Sequence, residues 1–240
     1  MKKLIITLCV FIAFETACSN AQLFDKLKKD ASKLVSGKSG LSEADAANGI
    51  KEALIQGTNK STDLVSKVDG YYKNPEIMIP FPTEAKKVES TLRKAGLGSQ
   101  VDKAVVSLNR AAEDAAKSAT PIFVAAVKEM TVNDAIGIVK GDNTSATKYL
   151  KVKTTNKLTD SFRPVIKNSL DKVDATKHWS DVMNAYNKIP FVEKINPDLT
   201  QYVTEKALEG LFLMISKEEV NIRQDPMART TDLLKKVFGK

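Results

Sequence analysis

Apolar residues recur along most of this chain at steps of three and four, the spacing that gives a helix one apolar face. The clearest run opens at Ser99-Gln100-Val101-Asp102. It places Val101, Val105, Leu108, Ala112, Ala115, Ala119, Ile122 and Ala126 on one side of a long helix. So many alanines imply close approach to neighbouring helices. Pro121 falls inside the run and predicts a kink, because it lacks a donor and clashes with the preceding turn. Leu208, Leu211, Phe212 and Ile215 repeat the pattern in a helix that starts at Leu199 and breaks at Asp225-Pro226. Pro226 then suits the first position of a final helix ending at Phe238.

The remaining elements follow from caps and breakers. Ser42-Glu43-Ala44-Asp45 is a capping-box pattern opening a helical region whose apolar side holds Ile50, Leu54, Leu64, Val65 and Val68. Asp69-Gly70 ends it. Thr83 begins a helix that closes near Ala95-Gly96. Thr131 to Asp134 caps a short helix that stops at Gly141, a position that favours the left-handed conformation. Asn143 or Thr144 starts another, running through Tyr149 and Leu158 towards Leu170, with Pro164 a second kink. Thr176 to Lys188 carries the lone His178 and Trp179, and Pro190 and Pro197 bracket a loop. Only Tyr71 to Pro82 breaks the helical rhythm. Its prolines 75, 80 and 82 forbid a central strand, so an extended segment or a short edge hairpin is expected to cross the helices. There is no internal repeat and no sustained heptad. The expected fold is all-α: a single-domain bundle of about eight helices over residues 41–240, several proline-kinked, with one short extended Pro-rich segment (71–82).

Residues 1–21 obey a different grammar. Lys2 and Lys3 precede an apolar run from Leu4 to Phe14, and Ser19-Asn20-Ala21 puts small residues before a cut at Gln22. That is a secretory signal peptide. The run is too short for a bilayer, which needs about 20 residues. The expected location is periplasmic. The alternative is cleavage before Cys18 and lipidation of its thiol to give a membrane-anchored lipoprotein, although Glu15 stands where that route wants an aliphatic residue. Residues 22–40 read as an amphipathic arm and linker. Leu23, Leu27 and Leu34 oppose Lys26, Lys28, Lys29 and Lys33, and Gly37-Lys38-Ser39-Gly40 breaks the helix. Such an arm can lie on a membrane surface or cap the domain.

Composition narrows the chemistry. With 42% hydrophobic and 28% charged residues the chain of 240 folds as a globule rather than staying disordered. One His and two Cys exclude most zinc, haem-attachment and Cys–His catalytic sites. Cys9 leaves with the signal, and Cys18 leaves or becomes an anchor, so no disulfide framework is available. Removing residues 1–21 lowers the net charge from +8 to +7. Export makes nucleic acid an unsuitable partner, which leaves acidic envelope polymers, anionic lipid head groups or plain solubility as reasons for the positive charge. No phosphate loop, dinucleotide fingerprint, nucleophile elbow, HExxH or EF-hand loop is present. Gly141-Asp142-Asn143 lacks the later acidic ligands of a calcium loop and reads as a turn. No cofactor or metal is expected.

Two polar constellations remain. Arg110 lies three and four residues before Glu113 and Asp114, beside Asn109, on the long helix. This reads as helix-surface ion pairs, or as a cluster that meets another helix or lines a pocket. Glu218, Glu219, Arg223 and Arg229 surround the Asp225-Pro226 break. They read as interhelical salt bridges, or as guanidiniums that take a carboxylate or phosphate two-pronged.

At these segments the sequence resembles the exported bacterial family known as domain of unknown function 4197. The matching stretches are Ile79-Pro80-Phe81-Pro82, Leu92-Arg93-Lys94-Ala95-Gly96 and Leu108-Asn109-Arg110-Ala111-Ala112-Glu113. They continue with Met130-Thr131 to Asp134-Ala135, Gly141 with Ala146-Thr147-Lys148-Tyr149, and Tyr202-Val203 to Gly210-Leu211-Phe212. Glu219 to Ile222-Arg223, Pro226 to Arg229-Thr230-Thr231 and Val237-Phe238-Gly239 complete them. The resemblance implies an all-helical exported protein and supplies no activity. It marks Arg93, Asn109, Arg110, Glu113, Thr131, Asp134, Thr147, Tyr149, Glu219, Arg223 and Arg229 as candidate ligand- or partner-binding residues, because they match the family's polar motif positions. The expected function is a non-enzymatic envelope protein that binds a partner or an anionic ligand through Arg110/Glu113 and Arg223/Arg229. The alternative is a small-molecule pocket or hydrolase with a buried Glu113 or Asp134 as general acid/base. It requires a closed pocket of roughly a few hundred Å³ holding a carboxylate with a raised pKa.

Overall fold

Period-four apolar spacing carries the core. In the helix Ser145–Asp171 every fourth residue from Leu150 to Leu170 is buried, through Thr154, Leu158, Phe162 and Ile166. Thr154 is tolerated in that row because its hydroxyl donates to the Leu150 carbonyl at 2.7 Å. The computed structural model describes residues 43–228, apart from 189, 192, 193, 195 and 197. These form eight α-helices and no strand: α1 Glu43–Val65, α2 Lys86–Lys94, α3 Gly98–Ala116, α4 Ala119–Lys128, α5 Val132–Lys140, α6 Ser145–Asp171, α7 Ala175–Tyr186 and α8 Leu199–Gln224. Short 3₁₀ turns at Thr83–Ala85 and Pro226–Ala228 complete the set. The all-α expectation holds. The signal, the arm, Ser42 of the first capping box, Arg229 and the final helix lie outside the described residues.

At the centre α6 packs along α8, and α3 rests on both, while α1 lies across α4, α5 and α8. The alanines of α3 do what their size implies: Ala111, Ala112, Ala115 and Ala116 are fully buried between larger neighbours. None of the described helices is long and apolar enough to cross a membrane.

Several boundaries differ from the expectation, each for a local reason. The long helix predicted from Ser99 onward is two helices, separated at Lys117-Ser118. Pro121 therefore falls in the first turn of α4, where no intrahelical donor is needed, and starts a helix instead of kinking one. Val68, assigned to the apolar side, is 76% exposed because α1 already ends at Val65, and Leu64 is 47% exposed because it lies off the buried stripe of Leu54, Thr58, Ser61 and Val65. Gly141 is not left-handed: its φ is −79° with extended ψ. A glycine is favoured there because an added Cβ would stand 2.7 Å from the Ser145 Cβ and 3.0 Å from the Gly137 carbonyl, neither of which can rotate away. Pro164 sits inside α6 on its exposed side. Residues 71–82 form no hairpin. Two turns, closed by Asn74 N–H donating to Tyr71 O and Met78 N–H to Asn74 O, lead into a short extended stretch. Tyr71, Ile77 and Ile79 of this segment are buried.

Candidate functional site

The segment 69–80 has no ladder of its own, so its buried backbone groups must find partners elsewhere. Asn109, fully buried on α3, supplies them at one end. Its Oδ1 accepts from Ile79 N–H at 2.8 Å, and its Nδ2 donates to Ile79 O at 2.9 Å and to Val105 O at 2.8 Å. One turn further, Glu113 holds the other end. Its Oε1 accepts from the amides of Tyr71 and Tyr72 at 3.1 and 3.2 Å, and its Oε2 takes the Arg110 guanidinium at 2.6 Å. Arg110 also donates to Asp69 Oδ1 at 2.6 Å and lies 5.8 Å from the centre of the Tyr72 ring. Asp69 adopts a left-handed φ of 71°, which aims its carboxylate back at α3. Hydrogen bonds from Lys73 and then Arg110 hold the Asp69 carboxyl below the usual carboxylate range. Tyr71 is sealed beneath this strap with its hydroxyl donating to Ala207 O at 2.6 Å, and burial pushes its phenol far above its ordinary value.

The second constellation caps a helix from a distance. Thr144 precedes α6 without a side-chain cap. Instead Glu219 on α8 accepts from Ala146 N–H at 3.0 Å, and from both the amide and the hydroxyl of Thr147 at 2.8 Å. A carboxylate at a helix N-terminus meets both the orphan amides and the positive end of the dipole. Arg223 donates through Nε and Nη2 to Glu219 Oε1 at 3.0 and 2.9 Å, and through Nη2 to Ile138 O at 2.9 Å. The pair is nearly buried, with side chains 10% and 8% exposed, and its hydrogen bonds are satisfied on all sides, the condition for tolerating buried charge. One ion pair thus pins the end of α5 and the start of α6 to α8. A cavity of about 30 Å³ beside it, walled by Ile50, Leu54, Gly57, Ile215 and Ile222, has room for a water molecule and not for a substrate.

A much larger opening lies elsewhere. An open groove of about 970 Å³ runs between α2, the first half of α3 and α7. Phe81, Val88, Val101, Ala104, Val173 and Trp179 make most of its apolar wall. The Phe81 and Trp179 rings tilt against each other at 52° with centroids 6.2 Å apart, and Trp179 Nε1 points at Asn196 O at 3.4 Å. Leu97 and Val173 leave 40% and 52% of their surface open along it.

Residues 40–239 match the model of a family described as a protein of unknown function, DUF4197. The chain belongs to this family. Compared with curated proteins and with solved structures, it finds no match.

Within this DUF4197 domain the remaining candidate residues are spread apart. Arg93 bridges Glu89 at 3.0 Å and Asp102 at 2.8 Å on the surface, tying α2 to α3. Thr131 and Asp134 close a reciprocal capping box on α5, and hydrogen bonds from Thr131, its backbone amide first, hold the Asp134 carboxyl low. Tyr149 is half-buried with the Lys153 ammonium 5.7 Å from its ring, and burial first, then Asp134 and Glu129, raise its phenol. The expected Arg110–Asp114 pair does not form; Asp114 pairs with Lys117 at 2.9 Å. Arg110/Glu113 and Glu219/Arg223 hold different junctions of the bundle. Arg229 and Cys18 lie outside the described residues. Among those described, no three His, Cys, Asp or Glu side chains gather closely enough to hold a metal ion. Sequence reasoning missed Asp69 as the partner of Arg110, and it missed the groove, whose one visible signal was the lone Trp179.

Proposed function

We propose that this DUF4197 chain is an exported, non-enzymatic binding protein of the cell envelope that holds an apolar ligand in the groove between α2, α3 and α7. The groove carries the reading: at about 970 Å³ it matches ligand-binding sites in size, and its wall is largely apolar. Export rests on the Lys2-Lys3, Leu4–Phe14 and Ser19-Asn20-Ala21 grammar, with release into the periplasm after cleavage before Gln22 and anchoring at Cys18 as the other outcome. The binding surface moves away from the arginine clusters for a chemical reason. The Arg110 guanidinium already faces two carboxylates, and Arg223 faces Glu219 and a carbonyl, so neither is set out to receive an external anion. An acid/base role for Glu113 meets the same objection, since Tyr71, Tyr72 and Arg110 occupy its oxygens.

The test uses purified residues 22–240 and the uncharged fluorophore N-phenyl-1-naphthylamine. Trp179 is the only tryptophan, so its emission reports from the groove wall. Saturable binding with quenching of Trp179 is expected, and Ala104→Phe, which thrusts a ring from the groove wall into the ligand's path, should weaken it while helical circular dichroism stays unchanged. Equal binding by that variant, or none by the wild type, defeats the reading. Osmotic-shock fractionation of the tagged full chain and of Cys18→Ala separates free periplasmic protein from an anchored one.

A further inference from the structure

We infer that the groove takes a single-chain anionic amphiphile, a long-chain carboxylic acid, with its carboxylate at Lys103. This rests on the groove being the binding site and adds the class of ligand. The argument comes from how the groove divides its chemistry along α3. Leu97, Val101, Ala104 and Leu108 step by three and four along one side and give the apolar wall opposite Trp179. Gln100, Lys103 and Ser107 step by three and four along the other and give a polar edge. An apolar wall with a polar edge one helix-width away fits a molecule with a long apolar body and a single polar end.

Charge then selects the sign of that end. Among the described residues two charged side chains line the groove, Asp102 and Lys103. Asp102 is paired with Arg93 at 2.8 Å, which it shares with Glu89, whereas Lys103 has no ion-pair partner among the described residues. Lys103 is therefore the lining charge that stands open to a ligand, while the carboxylates of Asp102 and Glu89 are engaged by Arg93. The polar edge ends at Ser99 and Gln100, where α3 begins without a side-chain cap and without an acid in its first turn. Its unneutralised N-terminal dipole adds to the same preference. The size agrees as well, since about 970 Å³ lies at the upper end of small-ligand sites. The same charge argument disfavours the chain's own apolar ends. Residues 22–36 carry Lys26, Lys28, Lys29 and Lys33 against Asp25 and Asp30, and residues 229–240 carry Arg229, Lys235, Lys236 and Lys240 against Asp232. Both would bring net positive charge to the unpaired Lys103.

The experiment displaces N-phenyl-1-naphthylamine from residues 22–240 with oleate, with oleyl alcohol, which has the same chain and no charge, and with an acidic amphipathic helical peptide. Oleate should bind about fivefold tighter than the alcohol, as an exposed ion pair allows, and the advantage should shrink as salt is raised. Lys103→Gln should remove that advantage and leave the alcohol's affinity unchanged, and Lys103→Glu should reverse the order. Lys103 is exposed, so both variants are expected to fold. Equal affinity of oleate and the alcohol for the wild type overturns the anionic ligand while leaving the groove reading intact. So does displacement by neither, or tighter displacement by the peptide, which would assign the groove to an acidic partner helix. Failure of the fluorophore itself to bind defeats the reading beneath both.

Discussion

Asn109 gives Ile79 the donor and acceptor that a neighbouring strand would have given, and this explains why a proline-rich segment can lie buried without a sheet. The Arg110–Glu113 pair was legible from its three-residue spacing. Its actual weight was not, because the groups that give it meaning are Tyr71, Tyr72 and Asp69, more than forty positions away. Local spacing reports neighbours on one helix and is silent about what the helix faces. Glycines make the same point with a testable sign. A Cβ at Gly210 would stand 2.8 Å from Tyr71 Cε1 and 3.0 Å from Ile77 Cβ, both fixed beneath the strap. A Cβ at Gly57 would meet Glu218 Cγ and Ile222 Cδ1 at 3.6 and 3.7 Å, ordinary contact on the wall of the small cavity. Gly210→Ala should therefore destabilise the fold by about 2 kcal/mol through overpacking. Gly57→Ala should stabilise it by about 1 kcal/mol, by restoring helix propensity and filling space. Urea midpoints at constant slope distinguish the two directions.

Among the elements, the helices themselves were readable and their ends much less so. The run from Val101 to Ala126 gave no hint of its break because Ala115, Ala119, Phe123 and Ala126 stay in phase across Lys117-Ser118 and remain buried on both sides. Apolar periodicity records which face is covered, not whether the backbone is continuous. The start of α6 is a stronger case. Its cap comes from Glu219, a residue 72 positions downstream of Thr147, so nothing near Thr144 could announce it. Glu219→Ala should cost about 3 kcal/mol, because it frees the first amides of α6 and leaves Arg223 nearly buried without its counter-charge. Hydrogen exchange at Ala146 and Thr147 should accelerate well beyond that of mid-α6 amides. Equal acceleration throughout the domain would point to global loosening and sink the capping account.

For the whole molecule, fold class and family were legible, since helical periodicity and ordered polar motifs survive in a linear string. The groove was not, because it is a space left between Phe81, Val101 and Trp179, which only folding brings together. The titration behaviour also belongs to the whole domain. Asp69, Asp134, Asp142 and Asp171 all have carboxyls held below the ordinary aspartate range by hydrogen bonds, in Asp142 from Lys148 first. Folded values below unfolded ones mean that their contribution is complete above about pH 4 and is lost as pH falls further. Tyr71 has the opposite sense: its phenol is raised by burial, so its contribution is full below about pH 10 and lost above it. Denaturation midpoints across pH should form a plateau with both an acid and an alkaline limb, and Asp142→Asn should flatten the acid one. An acid limb unchanged in that variant would assign it to other carboxylates. The long reach of Glu219 bears finally on how the chain is made. Synthesis runs from the N-terminus, so α5 and α6 emerge well before α8, and their corner stays uncapped until the last described helix arrives. A product truncated ahead of Glu219 would leave the first amides of α6 without their acceptor, and limited proteolysis should cut such a chain at that corner before it cuts the complete one.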